Sequence, residues 1–221
     1  MEREGDGGAS SECEREARAV SGVRFVLATA NPGKISEMRG ILSGLGIVVK
    51  TREELGIDIE VEETGTTFIE NALLKASAIC KAAGMPAVAD DSGLMVDALG
   101  GSPGVYSSSF GGEGLDDTGR CKHLIEKMQD AEHFGAKFVC TIACVFPDGK
   151  ILTAEGECRG EILTAPRGLG GFGYDPVFLV EGLGKTMAEL TREEKNAVSH
   201  RGKALREFYS LMQNERLPQR Y

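Results

Sequence analysis

The chain has 221 residues, with 34 acids against 25 bases and a net charge of −9, a size that builds one ordinary domain or one elongated domain with two lobes. Hydrophobic residues at 41% and charged residues at 27% exclude wholesale disorder. The acidic balance argues against a nucleic-acid polymer as the main partner, because that binding draws on a broad basic field; a small anion needs only a local basic pocket.

Residues 1–22 are rich in Glu, Gly and Ser and carry no apolar period. They lack the apolar stretch of a secretory signal, and their acids are unlike an organelle transit peptide. A disordered N-terminal tail is expected, followed by a single domain over residues 23–221. No apolar run approaches the roughly 20 residues of a membrane span, so no membrane partner is expected. Six cysteines, at 13, 80, 121, 140, 144 and 158, form no CxxC pair, and the chain has only three histidines. That pattern predicts reduced, mostly buried thiols in a cytoplasmic protein rather than a zinc cage.

Residues 23–29 are a short apolar run of strand length. They meet Asn31-Pro32-Gly33-Lys34, after which Ile35, Met38, Leu42 and Leu45 recur at helical spacing up to Gly46. Asn31 suits an N-cap and Pro32 the first helical position. Residues 47–50 read as a second strand, and residues 51–65 as loop with a short extended piece. Thr67 and Glu70 have the spacing of a capping box. Behind them Phe68, Ala72, Ala76, Ile79 and Ala83 share one helical face, which Gly84 and Pro86 end.

Residues 87–89 read as a short strand running into Asp90-Asp91-Ser92-Gly93, with 94–99 extended beyond it and a turn at 100–104. A helix is predicted over 116–128. Residues 137–146 and 150–158 form a hairpin about Pro147-Asp148-Gly149. Residues 161–165 and 174–180 read as extended. Thr191 and Glu194 repeat the capping signature, and Ala197, Ala204, Leu205, Phe208, Leu211 and Met212 mark a last amphipathic helix that restarts at Ser199. Early alternation of strands and helices with a later hairpin predicts an α/β fold on a mixed sheet.

Two glycine motifs are set aside. Gly168 to Gly173 spells GxGxxG, but a dinucleotide site needs a strand before it and a helix after it. Here Pro166 precedes, and Asp175-Pro176 follows in an extended stretch. Gly184-Lys185-Thr186 ends like a Walker A loop, but the motif's first glycine would fall at Leu179.

Four constellations carry chemistry. Thr29-Ala30-Asn31-Pro32-Gly33-Lys34 lies between strand and helix, where free N–H groups and the helix dipole favour an anion. Glu62-Glu63 and Asp90-Asp91 supply carboxylates of the kind that suit Mg²⁺, which keeps waters and shares its shell with phosphates. Adjacent strand residues face opposite ways, so one of Asp90 and Asp91 faces a cleft and the other braces the loop. Lys75, Lys195, His200 and Arg201 are basic. Phe172-Gly173-Tyr174-Asp175 sets aromatics beside a carboxylate, as a nucleobase clamp does. Taken together these describe a nucleoside polyphosphate site.

At this point the blocks LATANPGK, EETGTTFIENALLKA, ADDSGL, ALGGSPGVYS, GGFGYDPVF and ELTREEKNAVSHRGKAL resemble the inosine triphosphate pyrophosphatase family, in its order and spacing, from about Val23 to Met212. The resemblance implies an elongated two-lobed α/β domain. In it a central mixed β-sheet is flanked by helices, and the active-site cleft lies between the lobes. It implies a homodimer and Mg²⁺-dependent hydrolysis of non-standard purine nucleoside triphosphates (ITP, dITP, XTP) to monophosphate and pyrophosphate, which cleanses the nucleotide pool. It also implies residue roles. Thr29, Ala30, Asn31, Pro32, Gly33 and Lys34 match the triphosphate loop, and Lys75 a phosphate-contacting lysine. Asp91 matches the acid that binds metal and activates water, Ser92 its substrate-binding neighbour, and Glu62 a further magnesium-associated carboxylate. Phe172, Gly173, Tyr174, Asp175, Lys195, His200 and Arg201 match nucleoside-binding positions. The chain departs from the family's frequent YSARY block, which here reads Tyr106-Ser107-Ser108-Ser109-Phe110. An arginine position is thus Ser109. Two rival readings remain at this point: a pyrophosphatase of related fold acting on modified pyrimidine or standard nucleotides, and a non-catalytic nucleotide sensor.

Overall fold

The computed structural model describes residues 24–112 and 114–215. The predicted tail, with Cys13, lies outside the described residues.

Strand β1 (Arg24–Leu27) pairs in parallel with β2 (Val48–Thr51) on one side and with β3 (Ala87–Val96) on the other. Helices α1 (Pro32–Gly44) and α2 (Phe68–Ala83) make the two crossovers such parallel pairs require. From β3 onward the sheet is antiparallel through β4 (Gly135–Val145), β5 (Ile151–Ile162) and β6 (Phe178–Val180). The order is β2-β1-β3-β4-β5-β6, a mixed sheet as expected. Helices α3 (Asp117–Lys127), α4 (Arg192–Val198) and α5 (His200–Asn214) complete the α-helices of the described residues.

The predicted helix starts hold. Asn31 accepts from the Lys34 N–H at 3.1 Å as N-cap, and both capping boxes, Thr67 with Glu70 and Thr191 with Glu194, are formed. Ser199 caps α5, which is the predicted restart. Three expectations change. The pieces expected at 87–89 and 94–99 are one strand of 10 residues, because β4 pairs with it from Ala87 to Val96 and carries the charged pair inside the ladder. Strand β5 continues to Ile162 instead of stopping at 158, because its far end still has β6 to pair with. Of 174–180 only Phe178–Val180 is strand; Asp175–Val177 forms a 3₁₀ turn, since Pro176 has no N–H for a ladder. The GxGxxG stretch has no strand immediately before it and no α-helix after it.

The long strands serve two cores. At one end Phe25, Met38, Leu42, Ile142 and Phe208 pack together under α1 and α5. At the other Leu94, Leu124, Phe138, Phe178 and Val180 pack under α3. Strand β4 contributes Ile142 to the first and Phe138 to the second, so the lobes share a continuous sheet. Helix α2 lays Ala72, Ala76 and Ile79 on Val26, Ala87 and Ala89. Burying each large side chain of this kind is worth about 1.5–3 kcal/mol. The cysteines at 80, 121, 140, 144 and 158 are free and buried, as expected.

Candidate active site

A cavity of about 480 Å³ opens where the two lobes meet. Strand alternation builds its floor. Asp90 and Ser92 point one way from β3, and the Ser92 hydroxyl donates to Asp90 at 2.6 Å. Asp91 points the other way, toward α2. Asn71 and Lys75, one helical turn apart, both reach it there, with Lys75 Nζ at 2.8 Å and Asn71 Nδ2 at 3.5 Å. Lys75 also donates to Glu63 at 2.9 Å. Gly93 follows because a Cβ there would lie 2.2 Å from the Gly104 carbonyl oxygen.

The two aspartates have opposite electrostatics. Burial raises the Asp91 carboxyl to about 6, against the pull of Lys75. Burial would raise Asp90 too, but Lys34 at 3.1 Å and Arg201 at 2.9 Å outweigh it and hold Asp90 well below the carboxylate range. Asp90 is fully buried and permanently charged, while Asp91 lines the cavity. Burial likewise pushes Glu63 up, and Lys75 reverses the direction.

The loop before α1 forms one wall. Thr29, Ala30, Asn31 and Lys34 line the cavity. Thr29 Oγ1 accepts from the Asn31 N–H at 3.2 Å, which shapes the turn. Pro32 and Gly33 are not on the wall; Gly33 instead meets Phe172, whose ring would lie 2.7 Å from an added Cβ. That contact ties the loop before α1 to the aromatic strip.

Phe172, Gly173, Tyr174 and Asp175 all line the cavity, as do Lys195, His200 and Arg201. Asp175 accepts from the Phe172 N–H at 2.8 Å and from Lys195 Nζ at 2.5 Å. Burial raises the Asp175 carboxyl, partly offset by Lys195. Lys195 also pairs with Glu37 at 2.6 Å and sits 4.8 Å from the centre of the Phe172 ring. Burial would lower Lys195, but Asp175 and Glu37 raise it, so it stays charged. The Tyr174 hydroxyl turns away and donates to the Ser107 carbonyl at 2.8 Å.

Arg201 is almost wholly occupied. Its Nε and Nη2 donate to Asp90, Nη2 also to Ser92, and Nη1 to Glu37. Of its five N–H donors, one on Nη1 remains. His200 is buried and stacked flat on Phe138, with ring centres 4.7 Å apart and 14° between planes. Burial first, then Arg201 and Lys195, drive its pKa well below the usual value, so the ring is neutral. Its Nδ1 has no hydrogen-bond partner among the described residues.

Glu62 is exposed and does not line the cavity; its neighbour Glu63 does, through Lys75. The family resemblance matched Glu62 to the magnesium-associated carboxylate, and residues 57–65 follow no regular period by which spacing could choose between the two. Glu37, Asn71 and Phe138 were not foreseen at the site. Glu37 was detectable in principle, three positions beyond Lys34 on the same helix. Phe138 was not, because it reads as an ordinary strand residue.

Among the described residues no cluster of three or more His, Cys, Asp or Glu encloses a metal position. Asp91 and Glu63 nevertheless offer carboxylates on either side of Lys75 at the cavity wall. Two hard oxygen donors with open space beside them fit Mg²⁺, which completes its shell with water and phosphate oxygens. No helix among the described residues is long and apolar enough to cross a membrane.

The Ham1 family model matches residues 25–211. The dITP/XTP pyrophosphatase of Streptomyces avermitilis is 48% identical over 196 residues, which span 86% of this chain and 96% of that protein. The dITP/XTP pyrophosphatase of Thermus thermophilus is 51% identical over 189 residues, spanning 85% and 90%. The structure of a HAM1 protein from Coxiella burnetii superposes with a TM-score of 0.79 at 40% identity, covering 87% of this chain and 100% of that one. The Staphylococcus aureus Ham1 protein gives 0.77, also at 40% identity, covering 86% and 98%. The resemblance read from the sequence blocks is thereby borne out, and the chain belongs to the Ham1 family.

Proposed function

We propose that this protein is a nucleoside triphosphate pyrophosphatase that hydrolyses dITP, XTP and ITP to the monophosphate and pyrophosphate with Mg²⁺. The observation that carries the reading is that one cavity holds both the Asp91–Lys75–Glu63 cluster, suited to the phosphates, and the strip of Phe172, Lys195, His200 and Arg201, suited to the nucleoside. The relatives named dITP/XTP pyrophosphatase support dITP and XTP as substrates.

In this reading the base lies against Phe172, and Lys34 and Lys75 meet the phosphates. Asp91 orients a water on the α-phosphorus and takes its proton as the new P–O bond forms. The bond to the bridging oxygen breaks, and pyrophosphate leaves. A carboxyl raised to about 6 is ionised at neutral pH yet basic enough to accept a proton, and a positioned base of this kind contributes about 10²–10⁴-fold. Asp91 and Glu63 are the residues that would hold Mg²⁺, which would supply charge stabilisation on the polyphosphate. Hypoxanthine and xanthine present a carbonyl at purine position 6, where adenine has an amino group. The free Nη1 hydrogen of Arg201 and the unpartnered Nδ1 of the neutral His200 ring are the groups suited to read that difference.

Free buried thiols support a cytoplasmic location, and the family resemblance supports a homodimer. Incubation with Mg²⁺ and a panel of nucleoside triphosphates, with products identified, tests the function. Pyrophosphate from dITP and XTP, with little from ATP or GTP, is expected. Release of orthophosphate, or equal turnover of ATP, overturns the reading.

A further inference from the structure

Six cationic side chains line the cavity: Lys34, Arg52, Lys75, Arg120, Lys195 and Arg201. Four are already matched by carboxylates. Lys34 and Arg201 share Asp90, Lys75 lies on Glu63 and Asp91, and Lys195 on Glu37 and Asp175. A polyphosphate entering a site so neutralised needs cations that the protein has not already spent. Among the described residues, Arg52 and Arg120 have no carboxylate within salt-bridge distance.

Arg52 follows directly on β2. Its Nη1 donates to the Ile59 carbonyl at 2.6 Å, which ties it to the loop carrying Glu60 and Glu63. Its Nε is buried with no hydrogen-bond partner. The contacts across the cavity run in one order. Lys195 and Arg201 stand at the Phe172 ring. Arg201 leads through Asp90 to Lys34. Lys75 joins Asp91 to Glu63, and the Glu63 loop leads to Arg52. Arg52 is thus tied to the cavity through the loop that carries Glu63, not through the residues at the Phe172 ring.

The geometry points to Arg52 as the residue that receives the β- and γ-phosphates, the two that leave as pyrophosphate. This rests on the pyrophosphatase reading above. A guanidinium suits that role because its planar fork grips phosphate oxygens two at a time, and only one of its five N–H donors is spent on Ile59. Arg120 belongs to the other end. Asp117, three residues before it on α3, accepts from the Gly173 N–H at 2.6 Å.

The test is calorimetric binding of pyrophosphate and of IMP to the full chain with Mg²⁺. Arg52→Gln keeps a polar side chain and removes the charge. Its Kd for pyrophosphate is expected to rise about tenfold or more, the scale of a charge-assisted contact, while its Kd for IMP and its Tm stay near wild type. Arg120→Ala, which removes an equal charge from the same cavity, is expected to leave pyrophosphate binding near wild type. An unchanged pyrophosphate Kd in Arg52→Gln, an equal rise in Arg120→Ala, or parallel loss of both ligands with a lowered Tm would each overturn the assignment. Wild-type turnover of dITP is measured alongside. Its absence would sink the pyrophosphatase reading, whereas binding alone decides the role of Arg52.

Discussion

Lys75 and Asp91 meet at 2.8 Å between α2 and β3, and the lysine holds Glu63 with the same ammonium group. The two carboxylates are thus gathered around one ammonium group at the cavity wall, where the proposed metal and polyphosphate would enter. Asp91→Asn keeps the size and can still accept from Lys75, but it loses basicity. Turnover of dITP should fall by about 10²-fold or more with the circular-dichroism spectrum unchanged. Retention of a tenth of the activity would show that Asp91 is not the base.

Gly33→Ala puts a methyl group 2.7 Å from the Phe172 ring, too close for both to keep their places. The ring should shift, raising KM for dITP and XTP several-fold while kcat changes little. Steady-state kinetics read this directly. A fall in kcat at constant KM would place the strain on the phosphates instead.

Arg201→Ala should be costly to the fold before it is costly to recognition. It leaves Asp90, fully buried, without its guanidinium partner, and stranding one member of a buried pair costs about 3–5 kcal/mol. Urea denaturation measures the loss. A variant as stable as wild type would mean that Lys34 suffices to hold Asp90.

His200 makes stability depend on pH. Its folded pKa lies well below the ordinary value, first because of burial. Below about pH 6.5 the unfolded chain takes up a proton that the folded chain refuses. Stability is therefore full above that pH and lost as pH falls, by about 1.4 kcal/mol per pH unit from this group. His200→Gln should remove the component, so the stability difference between variant and wild type should shift in the variant's favour from pH 6.5 to 5. A constant difference across that range would refute the buried neutral ring.

Burial pushes the thiols up, Cys121 to about 11 and Cys140 to about 12. A Cys13→Ser variant should therefore react negligibly with a thiol reagent at pH 8 while folded, and at five sites after denaturation. Prompt labelling of the folded variant would show that a thiol is exposed.

Local chemistry was legible along the chain. Thr67 with Glu70, Thr191 with Glu194, Asn31 with Pro32 and the restart at Ser199 announced four helix starts, because a cap is a matter of neighbouring residues. The sequence blocks also identified the family, since their spacing records a shared fold. Strand alternation predicted that Asp90 and Asp91 divide their roles, though not which takes which. The family blocks matched Asp91 to the acid, and the physical division of the pair depends on partners far away in sequence. Arg201 and Lys34 converge on Asp90, and Lys75 on Asp91. The same holds for Glu63 over Glu62, for Glu37 beneath two cations, and for Phe138 beneath His200. Periodicity tells which face of an element a side chain occupies, but not what stands opposite. Opposite charges and stacked rings acquire their meaning from distance: Glu37 meets Lys195 and Arg201, and Phe138 meets His200, only once the chain has folded.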